Sequence, residues 1–146
     1  MAATRFTRLS AALALPIAPL GAGAAWANPG GGISAAHYSP PFVDHTEWVQ
    51  WSGGTSLRVF PTPAGRAASR QPGSDADADE AWNEVLARSP DADTAGMRAQ
   101  FVCHWAWAEL AQPGKTSWNL EPWRPVVDDT AMLNTGCNPG GAEESF

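Results

Sequence analysis

Residues 46–60 read TEWVQWSGGTSLRVF, two runs of aromatic and β-branched residues on either side of Gly53-Gly54. A pair of glycines between two such runs predicts two strands joined by a tight turn, because glycine supplies the backbone angles that a short hairpin needs. Strand alternation then sends Leu57 and Val59 to one face and Arg58 and Phe60 to the other. Pro61 and Pro63 end the second strand, since neither can donate a ladder hydrogen bond. Upstream, residues 28–42 are rich in Gly, Ser and Pro and show no period, which predicts a flexible N-terminal arm ahead of a single globular domain at 43–146.

Downstream, residues 65–73 read as a loop. Ser74 and the acids Asp75, Asp77 and Asp79 supply a cap and an acidic first turn for a helix running to about Arg88. Its apolar stripe is Ala81, Trp82, Val85 and Leu86. The three aspartates do not make a calcium loop: the position that needs Gly holds Glu80, and Leu86 stands where a bidentate acid belongs. Asp93 or Thr94 caps a second helix that reaches about Leu110 before Pro113-Gly114 breaks it. Met97, Phe101, Trp105 and Ala108 follow the helical period and point to the core, with Gln100, His104 and Trp107 alongside. Residues 115–127 form an extended stretch, residues 128–134 a short last helix, and residues 136–141 a turn. The expected fold is therefore α+β: a small antiparallel sheet or β-hairpin packed with two or three helices, with residues 118–125 lying across them.

Residues 1–27 have the parts of a cleavable export signal: Arg5 and Arg8, an apolar stretch, then Ala25-Trp26-Ala27 before Asn28. Pro16 and Pro19 interrupt an apolar stretch far shorter than the roughly 20 residues of a membrane span, so no integral membrane segment is expected after cleavage. The expected location is secreted or extracytoplasmic. Cleavage after Ala27 would leave 119 of the 146 residues, a length that suits one domain. The full chain has 9 basic and 15 acidic residues; losing Arg5 and Arg8 leaves 7 basic ones and a charge of −8. Lys115 is its single lysine. That balance excludes a nucleic-acid partner, whose phosphates demand clustered Lys and Arg.

Cys103 and Cys137 form an even pair in an exported chain, which predicts a disulfide. The rival reading is a metal pair joined by His104. It fails because adjacent helical residues point about 100° apart and no fourth ligand is evident, so no metal or cofactor is expected.

Three runs are distinctive: Gln100-Phe101-Val102-Cys103-His104, then WNLEPWRP at 118–125, then Cys137-Asn138-Pro139-Gly140. With Ser56-Leu57-Arg58-Val59, Pro61-Thr62 and Ala81-Trp82 upstream, they resemble a bacterial family of secreted proteins of unknown function that is common in actinobacteria. The resemblance covers roughly residues 46–141. It implies domain extent and export, and it carries no activity.

Two sets of residues are candidates for function. Of eight tryptophans, Trp82 and Trp105 take core-facing helical positions, whereas Trp118 and Trp123 lie in the proline-rich segment as core residues or as a ligand platform. His104, Glu121 and Arg124 are the polar residues inside the distinctive runs. The first two could form a general acid–base pair and the third could clamp an anion. Alternatively Glu121 and Arg124 pair with each other while His104 bonds a backbone carbonyl. The leading function is a binding module for a cell-envelope glycan, peptide or surface protein. The alternatives are a small secreted hydrolase or toxin-like enzyme built on that trio, and a purely structural envelope protein.

Overall fold

A computed structural model describes residues 37–143. The expected signal at 1–27 and the first part of the expected arm lie outside those residues. The elements are β1 (Val43–Trp51), β2 (Gly54–Pro61), α1 (Pro63–Ser69), α2 (Asp75–Arg88), α3 (Ala95–Ala111), β3 (Trp118–Leu120) and α4 (Asp129–Asn134), with a 3-10 turn at Pro90–Ala92 between α2 and α3. They form an α+β fold with a three-stranded antiparallel sheet in the order β1-β2-β3.

The hairpin closes with Trp51 opposite Gly54 and Trp48 opposite Leu57, around the turn at Ser52-Gly53. On the other side of β2, Val59 pairs with Trp118 and Leu57 with Leu120. Alternation along β2 buries Leu57 and Val59 completely and leaves Arg58 and Phe60 half-buried. The helices cover the buried face. Trp82 from α2 meets Phe101 from α3 at 5.4 Å between ring centroids, and Trp105 and Trp118 meet edge to face at 6.1 Å. Aromatic pairs at these separations add to what burial alone contributes.

The structure departs from expectation in three places. Residues 65–73 are not all loop. Thr62 caps α1 by accepting from the Gly65 N–H at 3.0 Å, and Pro63 takes the first helical turn, where its missing N–H costs nothing. A proline read as a strand terminator is also a helix initiator. Gly65 is needed there because a Cβ would collide with the Phe42 carbonyl. Second, the core extends ahead of Val43: Phe42 is buried in it, and its N–H and that of Val43 donate to the Glu84 carboxylate at 3.0 and 2.8 Å. The last part of the expected arm is thus core. Third, Trp107 is 46% exposed, away from the core with which it was grouped, because two residues beyond Trp105 it turns about 200° around α3.

The outer side of α3 receives α4, capped by Asp128, whose carboxylate accepts from the Ala131 N–H at 2.8 Å. Cys103 and Cys137 are bonded, with Cα atoms 5.5 Å apart, and they pack with Met132 as a second, smaller cluster. Closing a loop of 34 residues stabilises a domain by roughly 2–4 kcal/mol. Among the described residues no helix is long and apolar enough to cross a membrane.

Candidate functional site

The segment after α3 places the polar candidates. β3 directs Trp118 and Leu120 into the core, and the chain then turns at 122–124. Gln100, buried on α3, grips the turn's entrance: its side-chain oxygen accepts from the Glu121 N–H at 2.8 Å and its amide donates to the Glu121 carbonyl at 3.0 Å. The Glu121 side chain is fully buried. One carboxylate oxygen accepts from the Ser56 hydroxyl at 3.3 Å and the other from Arg124 Nε at 2.6 Å. Three more of the Arg124 N–H groups donate to the carbonyls of Pro139, Gly141 and Ala142, at 3.2, 2.8 and 3.2 Å. Glu121 and Arg124 therefore pair with each other and tie β3 to the C-terminal turn.

His104 is held one helical turn along from Gln100, its Nδ1 2.9 Å from the Gln100 carbonyl oxygen. A carbonyl can only accept, so Nδ1 carries the proton and Nε2 presents a lone pair. Among the described residues Nε2 has no hydrogen-bond partner, although the residue is only 2% exposed. Neither ring nitrogen bonds a carboxylate, so Gln100 links His104 and Glu121 only indirectly. His104 instead lines a hollow of about 270 Å³ with Trp107, Ala108, Lys115, Leu133 and Glu143.

Burial lowers the His104 pKa from 6.5 to about 4, helped by the Lys115 charge, opposed by the Gln100 bond and helped less by Arg124. A histidine whose folded pKa is lowered takes its proton more readily when unfolded, so stability rises with pH across this window. The contribution is complete above about pH 6.5 and is lost as pH falls towards 4. Its full size is roughly 3 kcal/mol, from about 1.4 kcal/mol per pKa unit. Urea unfolding of wild type and His104→Gln at pH 7, 5.5 and 4 isolates it. The stability difference between the two proteins should shrink by most of that amount on acidification, and a constant difference would show that His104 titrates normally.

The tryptophan candidates separate. Trp118 has 0% exposure and sits among Phe101 and Trp105, so no ligand can stack on it and it is a core residue. Trp123 is 39% exposed, but the Arg124 guanidinium lies 4.5 Å from its ring centre. Its indole also crosses the hairpin at Gly54, whose φ of +131° suits glycine and whose absent Cβ would fall 2.8 Å from the Trp123 Nε1. The ring is thus largely engaged within the domain.

Two features had gone unnoticed in the sequence. Glu109 is a buried carboxylate bonded by Arg66 and, at 3.2 Å, by Arg70, which fastens α3 to α1. An acid in the otherwise apolar last turns of α3, residues 105–111, is its only signal in the sequence. The other is an open hollow of about 510 Å³ between α3 and α4, walled by Ala99, Val102, Ala106, Trp107, Met132 and Leu133. Val102, Trp107 and Leu133 are all exposed there. Among the described residues no group of three or more His, Cys, Asp or Glu side chains is gathered as a metal site would require.

Comparison with known proteins places this arrangement. The chain is similar to the uncharacterized proteins Rv0477 of Mycobacterium tuberculosis and Mb0487 of Mycobacterium bovis, each 64% identical over 138 residues, which span 94% of this chain and 88% of the relative. The uncharacterized protein ML2452 of Mycobacterium leprae is 54% identical over 106 residues, 73% of this chain and 85% of the relative. No solved structure matches. The family described as "Protein of unknown function (DUF2599)" matches residues 43–140, from the first strand through the turn that Arg124 and the disulfide hold in place, and the chain belongs to that family.

Proposed function

We propose that the chain is exported and that its domain is a binding module, with the outer side of α3 and α4 as its ligand face. The observation that carries this reading is the open hollow of about 510 Å³, whose exposed wall is Val102, Trp107 and Leu133. Apolar, concave sites of roughly 300–1,000 Å³ are the usual form of small-molecule sites. The occupant that fits is a small envelope-derived molecule with an apolar body, since the walls are mostly apolar, with Arg98 and Asp129 as the charged residues among them. Catalysis by His104, Glu121 and Arg124 draws less support, because both carboxylate oxygens of Glu121 are engaged inside the domain and among the described residues His104 Nε2 has no hydrogen-bond partner.

Export rests on the N-terminal sequence and is compatible with the disulfide; sequencing of the exported protein should find Asn28 first. The ligand face is tested with N-phenyl-1-naphthylamine, a neutral apolar probe that fluoresces when bound. Trp107→Ala should weaken probe binding at least tenfold while stability changes by no more than about 1 kcal/mol, as expected for a residue standing away from the core. Unchanged binding by Trp107→Ala, or loss through Trp123→Ala instead, would move the site elsewhere. Trp107-dependent retention on purified cell-wall glycan, without probe binding, would replace the small molecule with a glycan.

A further inference from the structure

The smaller hollow of about 270 Å³ shares the walls Trp107 and Leu133 with the larger one, yet its chemistry differs. It contains the single lysine of the chain, with only 9% of the side chain exposed, ion-paired to Glu143. It also contains His104, whose Nε2 lone pair has no partner although the residue is buried. A buried acceptor without a donor is costly unless something supplies one. Lys115 and His104 both line this hollow, with Nε2 itself covered, and an ammonium near an imidazole lone pair is complementary to a carboxylate with an adjacent O–H donor once a small side-chain shift uncovers Nε2.

Glu143 already meets the first half of that requirement. It comes from residues 135–143 beyond α4, which form turns and no helix or strand, and its side chain is a quarter exposed at 26%. An internal carboxylate on the cation is therefore placed where an incoming one can exchange with it. Among the described residues no group donates to His104 Nε2, so the second half is unmet there.

We propose that this hollow takes the head group of a small 2-hydroxy carboxylate, whose carboxylate displaces Glu143 from Lys115, whose hydroxyl donates to His104 Nε2, and whose hydrocarbon tail runs over Trp107 and Leu133. Glu143 is then a latch that the ligand opens. The inference rests on the binding-module reading and adds the head-group chemistry and its regulation. It places no covalent step at the site.

The probe is 2-hydroxyoctanoate, with octanoate and 1-octanol as controls, titrated by calorimetry. Glu143→Gln removes the competing charge and should bind the hydroxy acid about fivefold more tightly than wild type, the scale of a partly exposed ion pair. Lys115→Met should bind it at least tenfold more weakly. Octanoate should bind more weakly than the hydroxy acid, and 1-octanol should be indifferent to both substitutions. Nitrogen-15 NMR on wild-type and Glu143→Gln protein supplies a readout independent of the Lys115 variant's stability: the Nε2 resonance should move with the hydroxy acid and far less with octanoate. Equal affinity of wild type and Glu143→Gln, or a stationary Nε2 resonance at saturation, overturns the proposal. If either occurs while N-phenyl-1-naphthylamine still binds through Trp107, only the head-group inference falls; loss of that probe's Trp107 dependence removes the binding reading itself.

Discussion

Trp118→Ala should destabilise the domain by about 3–5 kcal/mol, the range for truncating a buried Trp. The indole has no exposed surface and lies between Phe101 and Trp105, each about 6.1 Å away between ring centroids. It is also the first residue of β3, opposite Val59. Its removal therefore opens a cavity where the sheet meets α3, and the pairing of β3 with β2, together with the grip of Gln100 on Glu121, limits collapse. Urea unfolding gives the size of the loss. Trp118→Phe should cost less, since most of the ring contact survives. A loss below about 1 kcal/mol for Trp118→Ala would mean that the indole is not the core element its contacts describe.

Trp118 and Trp123 also show where the sequence stopped being informative. Both stand in WNLEPWRP, and nothing local separates them. The separation comes from β2: pairing Val59 with Trp118 and Leu57 with Leu120 turns those two side chains onto the core face. Past the three-residue strand the chain turns, and Trp123 emerges over Gly54. Local determinants are legible at Gly53-Gly54, which marks the hairpin, and at Thr94, which caps α3 by accepting from the Met97 N–H. Ser74 makes no side-chain capping bond to α2, because its hydroxyl instead accepts from Trp105 Nε1 at 3.0 Å. The helical period picked out Met97, Phe101, Trp105 and Ala108, all buried.

Features that depend on distant partners leave no local trace in the sequence. α1 escaped because Thr62-Pro63 serves equally as a strand end and a helix start. Which role it plays is settled by Phe42, whose carbonyl accepts from the Thr62 N–H at 2.8 Å. The two hollows were invisible for a similar reason, since they exist only because the disulfide and Met132 hold α4 beside α3 while leaving Trp107 uncovered. His104 stands in the sequence as a polar residue in a largely apolar run, and it is buried. Its neighbours in space, Lys115 and Glu143, come from beyond the helix.

Arg124→Met should cost as much as the loss of Trp118, about 3–5 kcal/mol, for an electrostatic reason. The substitution keeps an apolar side chain of useful length but leaves the Glu121 carboxylate fully buried, with only the Ser56 hydroxyl at 3.3 Å to answer its charge. It also strips the donor from the carbonyls of Pro139, Gly141 and Ala142, which releases the C-terminal turn from β3. Glu121→Gln removes the opposite charge and leaves a buried guanidinium facing a neutral amide, so it too should be damaging. The diagnostic protein is the double variant. With both charges gone no ion is stranded, and the remaining loss is mainly that of the turn's anchors. Glu121→Gln/Arg124→Met should therefore be more stable than the sum of the single losses by roughly 0.5–3 kcal/mol, the coupling expected for residues in one network. Urea unfolding of the four proteins closes the cycle. Additive losses would mean that the two residues act separately. A cost below about 1 kcal/mol for Arg124→Met, with the fold intact, would mean that the guanidinium is dispensable to the framework and would return it to the list of groups available for a ligand.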